Sequence, residues 1–288
     1  MREPKTSTLL LDGALALLLG AGLGGWARCG DAVNLGGGGT TSGNDAGNTN
    51  LVWSDEFDGP AGQLPDATKW NFDVGGTGWG NGQLEYDTNL AQNASLDGQG
   101  HLAITALDTP YMGNAYSSAR LETQNLGQFT HGRFEARMQM PIGPGMWPAF
   151  WMLGTNFETV GWPQCGEIDI MEYRGQEPDL VHGSLHGPGY SGGSAITQAY
   201  SDPQGFNGAF HVYDLDWDPD SITWSVDGVA YETVTSAEVP AGNWVFEHPF
   251  FILLNLAVGG GYVGSPTSAT VFPQTFLIDY VRVYGTSP

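Results

Sequence analysis

The chain has 288 residues, enough for one large domain with appendages. Nine Lys and Arg stand against 31 Asp and Glu, a formal net charge of −22, which argues against nucleic acid and against sulfated polysaccharides, because both need basic patches. A neutral polymer is indifferent to that charge, and 44 Gly, 17 Pro and 12% aromatics fit many short strands joined by turns.

Arg2 and Lys5 precede an apolar run, Leu9–Leu11 and then Gly13–Gly25, which has the n- and h-regions of a secretory signal. Asp12 interrupts the run, and no stretch of eighteen or more unbroken apolar residues supports a membrane span. We therefore expect a leader over residues 1–28 and secretion, with anchoring through this segment as the alternative and no stable membrane association of the rest of the chain. A lipid anchor on Cys29 is disfavoured by the bulky, charged Arg28 before it. Residues 29–50 are Gly, Ser, Thr, Asn and Asp with little to bury, a linker or tail. The folded domain is expected over 51–288, as a monomer.

Within it, Gly132–Met140 alternates Phe134, Ala136, Met138 and Met140 with Arg133, Glu135, Arg137 and Gln139, the pattern of a half-buried strand. Trp147, Ala149 and Trp151 fall on one strand face, and Trp162 lies five residues before Glu167. Each indole could serve the core. Sugar rings, however, present apolar faces that stack on aromatic platforms, so a glycan cleft is the stronger reading.

The segment Gly166-Glu-Ile-Asp-Ile-Met-Glu172 is the most telling. In a strand Glu167 and Asp169 share a face while Ile168 and Ile170 enter the core, and Glu172 falls on the opposite face. One β-bulge around Ile170-Met171 would return Glu172 to the other acids, and bulges are common beside active sites. Two carboxyls close together are what retaining glycoside hydrolysis needs. The competing reading is a solvated acidic strand face. Cys165, just before this segment, reads as a small core residue, and with Cys29 as the only other cysteine no disulfide scaffold is implied.

Downstream, Ile222–Val226, the turn Asp227-Gly228 and Val229–Tyr231 form a hairpin. Phe250–Leu256 and Phe276–Tyr284 are further strands, with Asn255 buried among apolar neighbours and its amide in need of protein or sugar partners. No long segment has helical periodicity, so the fold class is all-β, a sandwich or barrel.

The acidic segment resembles the active-site strand of glycoside hydrolase family 16, in particular its laminarinase-like endo-β-1,3-glucanases. The similarity continues in order through Trp53-Ser-Asp-Glu-Phe57, Asn81-Gly-Gln-Leu84, Ser118-Ala-Arg-Leu121, Gly132-Arg-Phe-Glu-Ala136, Trp147-Pro-Ala-Phe-Trp-Met-Leu153, His186-Gly-Pro188, Asn255-Leu-Ala257 and Ile278-Asp-Tyr-Val-Arg-Val-Tyr284. It implies a β-jelly roll of two curved antiparallel sheets with a concave substrate cleft. By position, Glu167 resembles the nucleophile, Glu172 the general acid/base and Asp169 an assisting acid. The resemblance makes Asn81, Arg120, Trp147, Trp151 and Trp162 sugar contacts, with a surface or turn position as the alternative for Asn81 and Arg120, and puts His186 on the leaving-group side of the cleft, although a structural histidine also fits. Glu56, Gly98 and Asp279 match a structural Ca²⁺ site of the family; no cofactor for catalysis is implied. The expected activity is retaining hydrolysis of internal β-1,3-glucosidic bonds in a neutral glucan. Mixed-linkage β-1,3-1,4-glucan hydrolysis, transglycosylation and a non-catalytic glycan-binding module are the rivals. Three clustered acids argue against the last, since binding alone gains little from crowded negative charge.

Overall fold

The computed structural model describes residues 50–285, so the expected leader and almost all of the linker lie outside the described residues. The first strands in chain order are β1 (Leu51–Asp55), β2 (Asn71–Phe72), β3 (Glu85–Asp87), β4 (Ala94–Leu96), β5 (Leu102–Ala106) and β6 (Tyr116–Ser118). There follow β7 (Arg120–Glu122), β8 (Gln128–Phe129), β9 (Gly132–Gln139), β10 (Met146–Gly154), β11 (Glu167–Tyr173) and β12 (Leu180–His186). The last are β13 (Ile196–Ser201), β14 (His211–Asp218), β15 (Ser221–Val226), β16 (Val229–Thr235), β17 (Phe250–Val258) and β18 (Gln274–Tyr284). Among the described residues, helix is confined to the four residues Phe157–Val160 and a 3₁₀ turn at Gly192–Ser194.

Two open eight-stranded sheets result. The outer sheet runs β16-β15-β14-β9-β18-β5-β4, with β1 also on β18. The cleft sheet runs β13-β12-β11-β10-β17-β7-β2, with β8 also on β17. All pairings within both are antiparallel; among the described residues only the small β3–β6 pair is parallel. This is the expected all-β jelly-roll sandwich.

The alternation read from sequence is what joins the layers. Phe134, Ala136 and Met138 of β9 are buried and belong to one core with Phe150 and Met152 of β10, Ile168 and Ile170 of β11 and Leu254 and Leu256 of β17. Burial of that apolar face from water is the main force holding the sheets together. The β15–β16 hairpin turns at Asp227 and Gly228, with φ of 49° and 75°, the left-handed pair that a two-residue turn requires. Cys165 is buried as a core residue.

Candidate active site

Strand β11 is irregular where the three acids lie. Against β10, Phe150 pairs with Met171 but Trp151 pairs with Asp169, so Ile170 is one residue too many. The register with β12 slips over the same stretch, from Asp169↔Ser184 to Glu172↔His182. That bulge reverses the alternation. Ile168, Ile170, Met171 and Tyr173 all enter the core, while Glu167, Asp169 and Glu172 line a single cleft of about 960 Å³. A tie from the opposite layer supports the irregularity: the buried Trp224 of β15 donates its Nε1–H to the Asp169 carbonyl at 2.8 Å.

Each acid has its own surroundings. His186, paired with Glu167 across β11 and β12, accepts the Gly192 N–H on Nδ1 at 3.1 Å. Its ring proton therefore sits on Nε2, which lies 2.9 Å from Asp169 Oδ2 and 3.8 Å from Glu167 Oε1. Glu172 Oε1 accepts the Trp147 Nε1–H at 3.0 Å. Burial pushes all three carboxyls up, each to about 8. The Asp169 charge raises Glu167 and Glu172 further, His186 opposes both shifts, and the Trp147 hydrogen bond favours the anion of Glu172. Such a cluster holds protons at neutral pH and titrates as a unit. It can present a carboxylate and a carboxylic acid to one substrate.

The remaining expected contacts fall into place unevenly. Trp147, Ala149 and Trp151 line the cleft as strand neighbours, and the half-exposed Trp162 lines it beside His186, with ring centroids 5.9 Å apart. The Asn255 amide finds a protein partner, its Oδ1 accepting the Trp151 Nε1–H at 2.8 Å. Arg120 lies in the cleft between Trp79 and Trp151, its guanidinium carbon 4.6 and 4.8 Å from the two ring centroids, and its Nε donates to Asp73 at 2.8 Å. Asn81 is exposed at the cleft edge. Trp79, Tyr262, Arg174 and His182 also line the cleft and were not singled out from sequence. Tyr262 sits 5.0 Å from Trp147 and under the Arg174 guanidinium at 4.9 Å. The signal available for Trp79 and Tyr262 was an aromatic inside a glycine-rich loop, Gly78-Trp-Gly80 and Gly261-Tyr262.

Of the positions that the resemblance assigns to Ca²⁺, Glu56, Gly98 and Asp279, both carboxylates have other partners. Both Glu56 oxygens accept from Arg282, at 3.0 and 2.7 Å, and Asp279 pairs with Arg137. Each carboxylate is thus neutralised by its own guanidinium, and no hydrogen bond or ion pair among the described residues joins the expected ligands. The side-chain donors do not fit a calcium cage in this arrangement. Among the described residues, the donor atoms that lie close enough to share a cation are those of Glu167, Asp169 and His186, all within 4.8 Å of one another.

Known proteins resemble this chain along most of its length. The family model described as "Glycosyl hydrolases family 16" matches residues 78–282. A beta-glucanase of Rhodothermus marinus is 43% identical over 251 residues, covering 81% of this chain and 84% of that protein. The endo-beta-1,3-glucanase of Pyrococcus furiosus has a similar structure, with a TM-score of 0.77 and 46% identity over 82% of this chain and 94% of that one. The laminarinase catalytic domain of Thermotoga maritima also gives a TM-score of 0.77, with 43% identity over 83% of this chain and 98% of that one.

Proposed function

Since the chain belongs to glycoside hydrolase family 16, we propose that it is a secreted endo-β-1,3-glucanase that cleaves internal bonds of a neutral glucan with retention of configuration. The observation that carries this reading is the Ile170 bulge, which gives Glu167 and Glu172 one cleft although they are an odd number of residues apart. The roles follow the motif. Glu167 attacks the anomeric carbon as Glu172 gives its proton to the departing oxygen. Glu172 then takes a proton from the water that releases the glycosyl group from Glu167.

The surroundings suit these tasks. Burial lets Glu172 keep its proton until the leaving oxygen needs it, and His186 and Arg120 favour the anionic form of Glu167. Asp169 lies between the two, held by His186. Trp147 and Trp151 offer apolar faces to sugar rings, and Arg120 and Asn255 offer polar edges. No cofactor enters this chemistry, and an uncharged polymer is compatible with the formal charge of −22.

Proton NMR of the first laminarin fragments, read before mutarotation, tests the mechanism: the β-anomer is expected first, and an α-anomer appearing first would overturn it. Parallel digestion of lichenan tests linkage. A similar structure described as a non-specific endo-beta-1,3(4)-glucanase favours mixed-linkage β-1,3-1,4-glucan as the second reading, which faster cleavage of lichenan than of laminarin would establish. Secretion rests on the Arg2, Lys5 and apolar leader pattern. N-terminal sequencing of enzyme from culture medium should find the leader removed near Ala27.

A further inference from the structure

Behind the cleft wall lie two acids that the mechanism leaves unused. Glu85 and Asp87 of β3 are 0% and 2% exposed, and as residues two apart in a strand they share a face. Glu85 Oε2 accepts the backbone N–H of Val258 at 2.8 Å, and Val258 ends β17, the floor strand that carries Asn255. Asp87 Oδ2 accepts the Trp79 Nε1–H at 2.7 Å. Trp79 in turn lies against the Arg120 guanidinium, which also lies over the Trp151 ring.

We propose that Glu85 and Asp87 are positioning residues for substrate binding: Glu85 ties β3 to the cleft floor, Asp87 fixes the Trp79 indole, and Trp79 holds Arg120 against Trp151. This rests on the glycan-cleaving reading of the cleft and names the residues that preset its wall. Two further observations point the same way. Trp79 is in the left-handed region, with φ of 48°, a conformation that costs a bulky residue energy and persists where surrounding contacts over-determine it. Glu85 Oε1 and Asp87 Oδ1 are buried without hydrogen-bond partners. Burial raises the two acids to about 8 and about 7, the Asp87 charge raising Glu85 further while Arg120 and the Trp79 hydrogen bond restrain Asp87. A proton retained within the pair lets two neighbouring acids coexist there at neutral pH while Asp87 Oδ2 remains an acceptor. Asp73, bound to Arg120, is the other acid facing Asp87.

The test compares Trp79→Phe, Asp87→Ala and Asp87→Asn in the full chain by KM and kcat on laminarin, by melting temperature and by the Trp79 indole N–H resonance. Trp79→Phe removes the donor and part of the ring area while keeping an aromatic face. Asp87→Asn keeps an acceptor oxygen and supplies an N–H to the buried pair. We expect Trp79→Phe and Asp87→Ala each to raise KM about tenfold with kcat changed less than about twofold, the size of one lost charge-assisted hydrogen bond. Their double variant should be no worse than either alone, because both break one contact. Asp87→Asn should restore KM, and Asp87→Ala should shift the indole resonance. Unchanged KM in folded Trp79→Phe and Asp87→Ala, or losses of kcat that merely track melting temperature, would overturn the inference. An unaltered indole resonance in Asp87→Ala would overturn it as well. A wild-type protein that leaves laminarin and lichenan uncut, but whose indole resonance responds to Asp87→Ala, would support the Asp87–Trp79 tie and count against the proposed function instead.

Discussion

The two sheets treat their acids in opposite ways. On the outer sheet, Arg133 binds Asp214 and Glu135, Arg137 binds Asp279, and Arg282 binds Glu56. In the cleft, Asp169 has the His186 imidazole and Glu172 the Trp147 indole as nearest polar neighbours, while the cleft arginines pair directly with other acids, Arg120 with Asp73 and Arg174 with Glu177. The consequence is visible in protonation. Asp214 is buried too, yet with Arg133 opposing the shift it rises only to about 6, whereas the cleft acids reach about 8. Glu56 is held below the usual carboxylate range by Arg282. Six cationic side chains follow residue 50, three of them on the outer sheet, and the direct guanidinium–carboxylate pairs fall away from the acids that must keep or exchange a proton.

Breaking the cleft side should have the largest effects. Glu167→Ala is expected to lower kcat on laminarin by on the order of 10⁴-fold or more, with azide restoring an α-glycosyl product from an activated substrate. The same change should raise the melting temperature, and more at pH 8 than at pH 4. The sign follows from linkage: a carboxyl whose folded pKa is raised retains a proton that the unfolded chain releases, so its stabilising contribution declines as pH rises from about 4 toward about 8. A melting temperature that fell at pH 8 would break the comparison. Glu172→Ala should cost about 10²–10⁴-fold on natural glucan and far less on substrates with good leaving groups, which need no protonation. Near-normal laminarin cleavage would reassign the acid/base.

Smaller changes sharpen the contrast. Trp147→Phe removes the donor that favours the Glu172 anion. The alkaline limb of the kcat profile should therefore move to higher pH, with kcat reduced about tenfold or less; an unmoved limb would show that the indole does not tune this acid. Glu56→Gln should give the least effect, a loss of about 1–3 °C in melting temperature at pH 7 that is smaller at pH 3, as expected of a partly exposed ion pair. Here the sign reverses, because the lowered Glu56 contributes above the unfolded pKa and loses its contribution as pH falls through the folded one. An equal loss at both pH values would mean that Glu56 acts by packing instead.

What the sequence by itself determined is local and periodic. The period-two alternation of Gly132–Met140, the Asp227-Gly228 turn and the odd spacing of Glu167 and Glu172 each constrain a backbone within a few residues. From these the half-buried strand, the hairpin and the need for a bulge near Ile170 were all legible. The order of motifs along the chain carried the family. Tertiary structure decided which side chains meet. That Asn255 answers Trp151, 104 positions away, depends on the pairing of β17 with β10, and that Trp224 steadies the bulge 55 positions before it depends on the stacking of two sheets. The arginines that occupy Glu56 and Asp279 lie 226 and 142 positions from their partners, and Trp79 reaches Arg120 through loop geometry. Side-chain identity fixes what a group can do, but its partner is set by strand register and layer packing, which sum many weak contacts across the whole chain.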